Sequence, residues 1–283
     1  MTKFKEKAME YLFLMAACIS IVAVALICIF LFLNGVPAIH KVGLGKFLTG
    51  VNWRPGNQIF GILPMIMGSI YVTAGAMLLG VPVGILSAAF MAKFCPKCIY
   101  PPLKAGINLM AGIPSVVYGF FGLCVLVPMT RELFGGNGNS MLTASVLLGL
   151  MILPTIINVS ETSIRAVTEK YYQGSLALGA THERSVFCVV LPAAKSGILA
   201  GVILGMGRAI GETMAVIMVA GNQARMPKGV LKGVRTLTSN IAMEMGYATG
   251  MHREVLIATG VVLFVFILII NLSFSILKRK AVE

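Results

Sequence analysis

The sequence predicts an all-α, polytopic membrane protein with six transmembrane helices, and three observations predict it. Hydrophobic residues make up 58% and charged residues 12% of the 283, against roughly a quarter charged in soluble domains. Uncharged tracts of spanning length recur, since a helix rising about 1.5 Å per residue needs roughly 20 apolar residues to cross the hydrocarbon core. One of these tracts, Ser196 to Ala220, holds only two charges, Arg208 and Glu212. A charge at membrane depth costs about 2.5–3.5 kcal/mol on the insertion scale, so a charged pair there points to a polar path through the membrane.

The first span runs from Tyr11 to Leu33. Lys3, Lys5 and Lys7 precede it as in a secretory signal, but its apolar stretch exceeds the roughly 7–15 residues of a signal h-region. No small-residue cleavage site follows at Asn34-Gly35-Val36-Pro37, so the span is expected to stay as an anchor. The others are Met65 to Ala92, Ala105 to Pro128, Met141 to Ser160, Gly197 to Ala220 and Val255 to Leu277. Pro64, Pro82, Pro114 and Pro154 lie at or within them, each removing a backbone donor and freeing carbonyls that must find other partners.

Six spans place both termini on one side, and basic residues choose that side. With the termini in the cytoplasm, thirteen Lys and Arg fall inside and nine outside, the outer ones mostly in the long Gly221 to Glu254 loop. The chain has ten Glu and no Asp, so its net charge of +13 reflects a shortage of acid and requires no nucleic-acid partner. Cys18, Cys28 and Cys124 fall within spans as small apolar groups. Cys95 and Cys98 form one CxxC without a second CxxC or paired histidines, a spacing that gives no zinc site.

The inside segment Glu161 to Lys195 has two short helical patterns broken near Gly179, a residue suited to a positive φ between helices. Pro192 begins the ramp into the fifth span. Two readings fit: a docking surface for a soluble partner across the inner mouth, or a hairpin that only joins two spans.

The residues here are recognisable. Gly179 with Val189, Leu191 and Pro192 resembles the glycine and the I-x-L-P end of the EAA coupling loop in permease subunits of bacterial ATP-binding-cassette importers. Gln173-Gly174-Ser175 stands where Glu-Ala-Ala is usual, which removes an acidic contact and keeps the loop's position. The run from Gly207 to Val216, Gly-Arg-Ala-Ile-Gly-Glu-Thr-Met-Ala-Val, looks like the signature of phosphate-specific permeases of the PstC type. Ile113 to Gly119 and Phe60 to Pro64 fit the same subfamily, and the matches extend from Trp53 to the C-terminus.

The resemblance implies a type I importer permease (MetI-like) fold, with an anchor helix and outer loop in residues 1–60 and a permease core in residues 61–283, coupling loop at about 161–195. It implies a multi-pass protein of the bacterial plasma membrane with cytoplasmic termini. The implied partners are a homologous PstA-type permease, two cytoplasmic PstB-type ATPase subunits, a soluble PstS-type phosphate-binding protein, inorganic phosphate and membrane lipid, with no nucleic acid. Gln173, Gly174, Ser175, Gly179, Val189, Leu191 and Pro192 would form the ATPase coupling loop.

In the fifth span Gly201, Gly205, Arg208 and Glu212 follow spacings of four, three and four, one narrow stripe at about 100° per residue. Gly197, Gly201 and Gly205 let another backbone approach, so the charged pair is expected to face protein or a cavity. An arginine fork offers an oxyanion both charge and donors, and Glu212 would pair with Arg208 when the path is empty. A structural ion pair joining two helices fits the same residues. Ser115, Tyr118 and Thr213 are neutral donors along the path, or ordinary interhelical hydrogen-bonding groups.

No G-x-x-x-x-G-K-[ST] phosphate loop occurs, so the chain is expected to be no enzyme and to need a separate ATPase, with no cofactor or metal of its own. An ion-coupled secondary carrier would use Glu212 as its ion site, and a non-transporting scaffold would leave the stripe tightly packed.

Overall fold

A computed structural model describes the backbone of residues 2–282 and the side chains of residues 6–273 and 276. All six apolar tracts are helical. The chain opens with α1 (Thr2–Val42) and α2 (Leu44–Thr49), then a hairpin of β1 (Trp53–Arg54) and β2 (Ile59–Phe60) paired Trp53 to Phe60. The second crossing is α3 (Leu63–Ala89), ending in a π turn over Phe90–Phe94. The third tract comprises α4 (Tyr100–Gly112), α5 (Ser115–Phe121), a π turn and α6 (Val127–Phe134). Then come α7 (Met141–Arg165), the loop helices α8 (Glu169–Ala177), α9 (His182–Ser185) and α10 (Leu191–Ala193), the fifth crossing α11 (Lys195–Gly211) and α12 (Met214–Val219), α13 (Leu237–Glu244), and α14 (Gly250–Val282).

Among the described residues five helices are long and apolar enough to cross a membrane alone, and a sixth crossing is made if the pair His182–Ala193 and Lys195–Gly211, bent by 70°, is one span. Four boundaries differ from the sequence reading. The first helix outruns Tyr11–Leu33 at both ends. The third tract breaks at Ile113, whose ψ of 126° is the extended conformation that a following proline favours. The fourth continues to Arg165, so Glu161 belongs to the helix and the loop begins at Ala166. The fifth tract is not one helix, because Glu212 takes ψ 131° and ends α11.

The centre is α7, packed between α3 and α11. Fully buried Ile156 is gripped from both sides: a methyl on Gly84 of α3 would meet it at 2.7 Å, and one on Gly205 of α11 at 3.0 Å. The small-residue stripe faces α7, with the Ser163 side chain seated on Gly197 and that of Val159 on Gly201. Helices α5 and α12 cross closely where Gly119 meets Ala215. At the end opposite the termini, α2, the hairpin and α13 form a cap whose core is Phe47, Trp53, Phe60, Met65, Leu237 and Leu256. At the terminal end, Met91, Ile107, Ile164, Val190 and Ile198 seat the loop helices on the bundle.

Candidate functional site

Arg208 lies in the last turn of α11 and is half-buried. The described residues form six ion pairs, and Arg208 belongs to none of them. The expected Arg208–Glu212 pairing is not made. Once α11 stops at Gly211, the Glu212 carboxylate turns forward and accepts a hydrogen bond from Ala215 N at 3.1 Å. An anionic side chain that takes up an orphan N–H in the first turn of a helix is favoured by both the hydrogen bond and the helix dipole. The Glu212 carbonyl, freed by the same break, accepts from Thr238 Oγ1 at 3.0 Å, tying the break to α13.

Tyr118 is buried, and its hydroxyl donates to the Met110 carbonyl at 2.9 Å. The i+4 partner of that carbonyl would be the N–H of residue 114, which is proline, so the phenol adds a second donor beside the 3.3 Å bond from Ile113 N. The cavity beside it, about 380 Å³ and lined by Met110, Ile113, Val117, Tyr118, Phe121 and Leu150, is apolar. Thr213 Oγ1 donates to Gly211 O at 3.2 Å, a local bond within the break. Ser115 opens α5 and is half-buried.

Gly179 has φ +84° with open space around it, so its backbone conformation alone calls for glycine. Ser175 is pinned to α9 by Ser185 Oγ at 3.0 Å, and Gln173 and Gly174 face outward. Tyr171, Leu176, Leu178 and Phe187 are exposed around them, an apolar surface on the loop helices. Val189 and Leu191 are half-buried, and Pro192 starts the 70° turn into α11. The loop is fastened to the end of α3: Lys93 pairs with Glu169 at 3.2 Å, Phe94 stacks edge-on against His182, and the Tyr172 hydroxyl lies 2.6 Å from His182 Nδ1.

Two buried carboxylate clusters went unread in the sequence. Glu161, 2% exposed, accepts from Tyr100 OH at 2.7 Å, Lys104 Nζ at 2.7 Å and Arg165 Nε at 2.8 Å. Arg165 also donates to the Met91 carbonyl and Lys104 to Asn158, so α3, α4 and α7 meet beside the loop. The hydrogen bond to Glu161 raises the Tyr100 phenol above its ordinary range, with burial and the carboxylate's charge adding to it. At the opposite end Glu244 accepts from Trp53 Nε1 and Arg235 Nη1 and lies 2.8 Å from His252 Nε2. The Glu161–Arg165 spacing of four was the visible signal; Lys104 and Tyr100 lie too far away in sequence to read.

The family model described as binding-protein-dependent transport system inner membrane component matches residues 80–283. A probable ABC transporter permease protein, YqgH, of Bacillus subtilis is 39% identical over 93% of this chain and 88% of its own. A phosphate transport system permease protein PstC of Mesorhizobium japonicum is 33% identical over 90% and 84%. Among solved structures, a chain of the MetNI methionine ABC transporter in an inward-facing conformation aligns with TM-score 0.64 at 19% identity, covering 81% of this chain and 99% of its own. A chain of a bacterial alginate ABC transporter aligns at 0.62 and 14%, covering 93% and 94%.

Proposed function

This chain belongs to the family of binding-protein-dependent transport system inner membrane components, and from that premise we propose that it forms half of the path of an ATP-driven phosphate importer. Its sister would be a PstA-type permease, its motors two PstB-type ATPases, and its receptor a PstS-type phosphate-binding protein. Residues 1–60 would act as anchor and outer cap, and residues 61–283 as the permease core. Both termini and the loop helices would face the cytoplasm.

The observation that carries the substrate reading is Arg208, a half-buried cation within a spanning tract and outside every ion pair among the described residues. An unpaired guanidinium presents a planar fork of donors to an oxyanion. Glu212 sits one residue past the helix end, where it limits the net positive charge without occupying the fork. Thr213 at this break and Ser115 at the start of α5 would serve as neutral donors, whereas Tyr118 holds the break in α4–α5.

ATPase closure would press on the exposed face of α8 and α9. Because Lys93 and Phe94 fasten that face to the end of α3, and the Glu161 cluster ties that end to α4 and α7, the loop moves with the helices it abuts. Coupling then proceeds through a rigid element with two positions.

The test is reconstitution with the sister permease, ATPases and receptor, followed by labelled phosphate uptake. Arg208→Gln is expected to assemble, melt like the wild type and fail to transport. Gly179→Val is expected to lose ATPase docking or to hydrolyse ATP without uptake. Normal uptake by Arg208→Gln, or uptake without any ATPase subunit, would overturn this reading.

A further inference from the structure

A second basic site lies at the far end from the loop. A cleft of about 610 Å³ is lined by Asn52, Gln223, Arg225, Lys228, Lys232 and Gly233, among others. Arg225, Lys228 and Lys232 are exposed and take part in none of the ion pairs among the described residues. No acidic residue occurs between Glu212 and Glu244. Glu244 itself is taken by Arg235, His252 and Trp53, so its charge is spent outside the cleft. Three like charges are thus held together with no neutralising partner.

The backbone that carries them has a fixed shape. Lys232 O accepts from Met141 N at 3.0 Å and Val230 O from Leu142 N at 2.9 Å, which binds the loop to the first turn of α7. Val234 N donates to Ala220 O at 2.9 Å, and Arg235 Nε to Asn222 O at 3.0 Å. Asn222, at φ 50°, donates its side chain to Ile217 O at 2.7 Å. The cleft therefore sits directly on the end of α12, and α12 leads back to the break at Glu212, one turn of chain from Arg208.

We infer that this cleft is an antechamber for the transported oxyanion, holding inorganic phosphate at the outer mouth between its release from the receptor and its passage toward Arg208. The inference rests on the phosphate reading above. A concave basic surface raises the local concentration of an anion by about tenfold or more without binding it tightly. Exposed cations suit that role, because a fully desolvated site would retain the ion.

The experiment uses the complete complex in proteoliposomes and compares wild type with the triple variant Arg225→Gln, Lys228→Gln, Lys232→Gln. Two quantities are read: phosphate delivered per ATP hydrolysed, and receptor affinity for the immobilised complex. At low salt the variant is expected to deliver about fivefold less phosphate per ATP, and the gap should close near 0.5 M salt as screening removes the wild-type advantage. Receptor affinity is expected to stay unchanged, and Lys228→Arg alone should keep wild-type delivery. Unchanged delivery per ATP at low salt would overturn the proposal. A parallel loss of receptor affinity would also overturn it, assigning these cations to an acidic face of the receptor. If the wild-type complex moves sulfate or molybdate and no phosphate, the phosphate reading fails separately, and the same ratio measured with the anion that moves still decides the cleft's role.

Discussion

Replacing Glu161 by Gln keeps the side chain's shape and removes its charge, and the structure sets the size of the effect. The carboxylate is 2% exposed and accepts three hydrogen bonds. Bonds to a charged group contribute about 1.5–3 kcal/mol each. Lys104 and Arg165 are 27% and 46% exposed, so water takes over part of what they lose. Each also keeps another acceptor, Asn158 for Lys104 and the Met91 carbonyl for Arg165. The loss should therefore fall at or below the low end of the 3–5 kcal/mol seen when one partner of a buried pair is removed, at about 2–3 kcal/mol. For a chain of 283 residues that lowers Tm by roughly 3–6 °C. The measurement is circular dichroism of the detergent-solubilised complex at one fixed scan rate, since large membrane assemblies unfold irreversibly. A Tm within about 2 °C of wild type would refute the reasoning, showing that the three donors are equally well satisfied by an amide or by water.

Tyr118→Phe removes the shorter of two hydrogen bonds to the Met110 carbonyl and is expected to cost about 0.5–1.5 kcal/mol in thermal stability while leaving the KM for uptake unchanged, because the cavity beside it is apolar; a raised KM at unchanged Tm would put the phenol in the path instead. Gly84→Leu should lose about 1–3 kcal/mol or fail to assemble, since Ile156 fills the space a side chain would need, whereas Gly106→Leu, with nothing near it, should melt at the wild-type temperature. The raised Tyr100 phenol gives an alkaline limit. Its contribution is fully present below the unfolded value of 10.0 and is lost as pH rises through the higher folded value. Between those two values stability should fall more steeply with pH for wild type than for Tyr100→Phe, and parallel curves would refute the assignment.

The apolar tracts were legible because hydropathy is additive along the chain and a helix needs no partner to satisfy its backbone in lipid. Gly179 was legible for a similar reason: its conformational demand is local, and the loop helices break where the residue predicts. The break at Glu212 was not. Its spacing from Arg208 fits a continuous helix, and what opposes that helix is a choice by the carboxylate, which takes the Ala215 N–H in preference to the arginine. The proline at 114 signalled a kink, but the tyrosine that repairs it lies on the far side of the break, where spacing rules no longer apply. The Glu161 and Glu244 clusters were hidden by sequence distance, since Trp53 reaches Glu244 across 191 positions.

Among the described residues, helix α1 is buried only toward its carboxyl-terminal end. Leu31, Phe32, Gly35 and Ala38 meet α14, with Phe32 edge-on to Phe264 and Gly35 over Ala258. From Glu6 to Ile27 every side chain is exposed in the isolated subunit. Selection on those positions should therefore act through greasiness alone, so Leu, Ile, Val and Phe should interchange there freely, while the stretch near Gly35 resists even a single methyl. A saturation scan of α1 would then read as a gradient, permissive at the amino-terminal half and strict toward the carboxyl-terminal quarter.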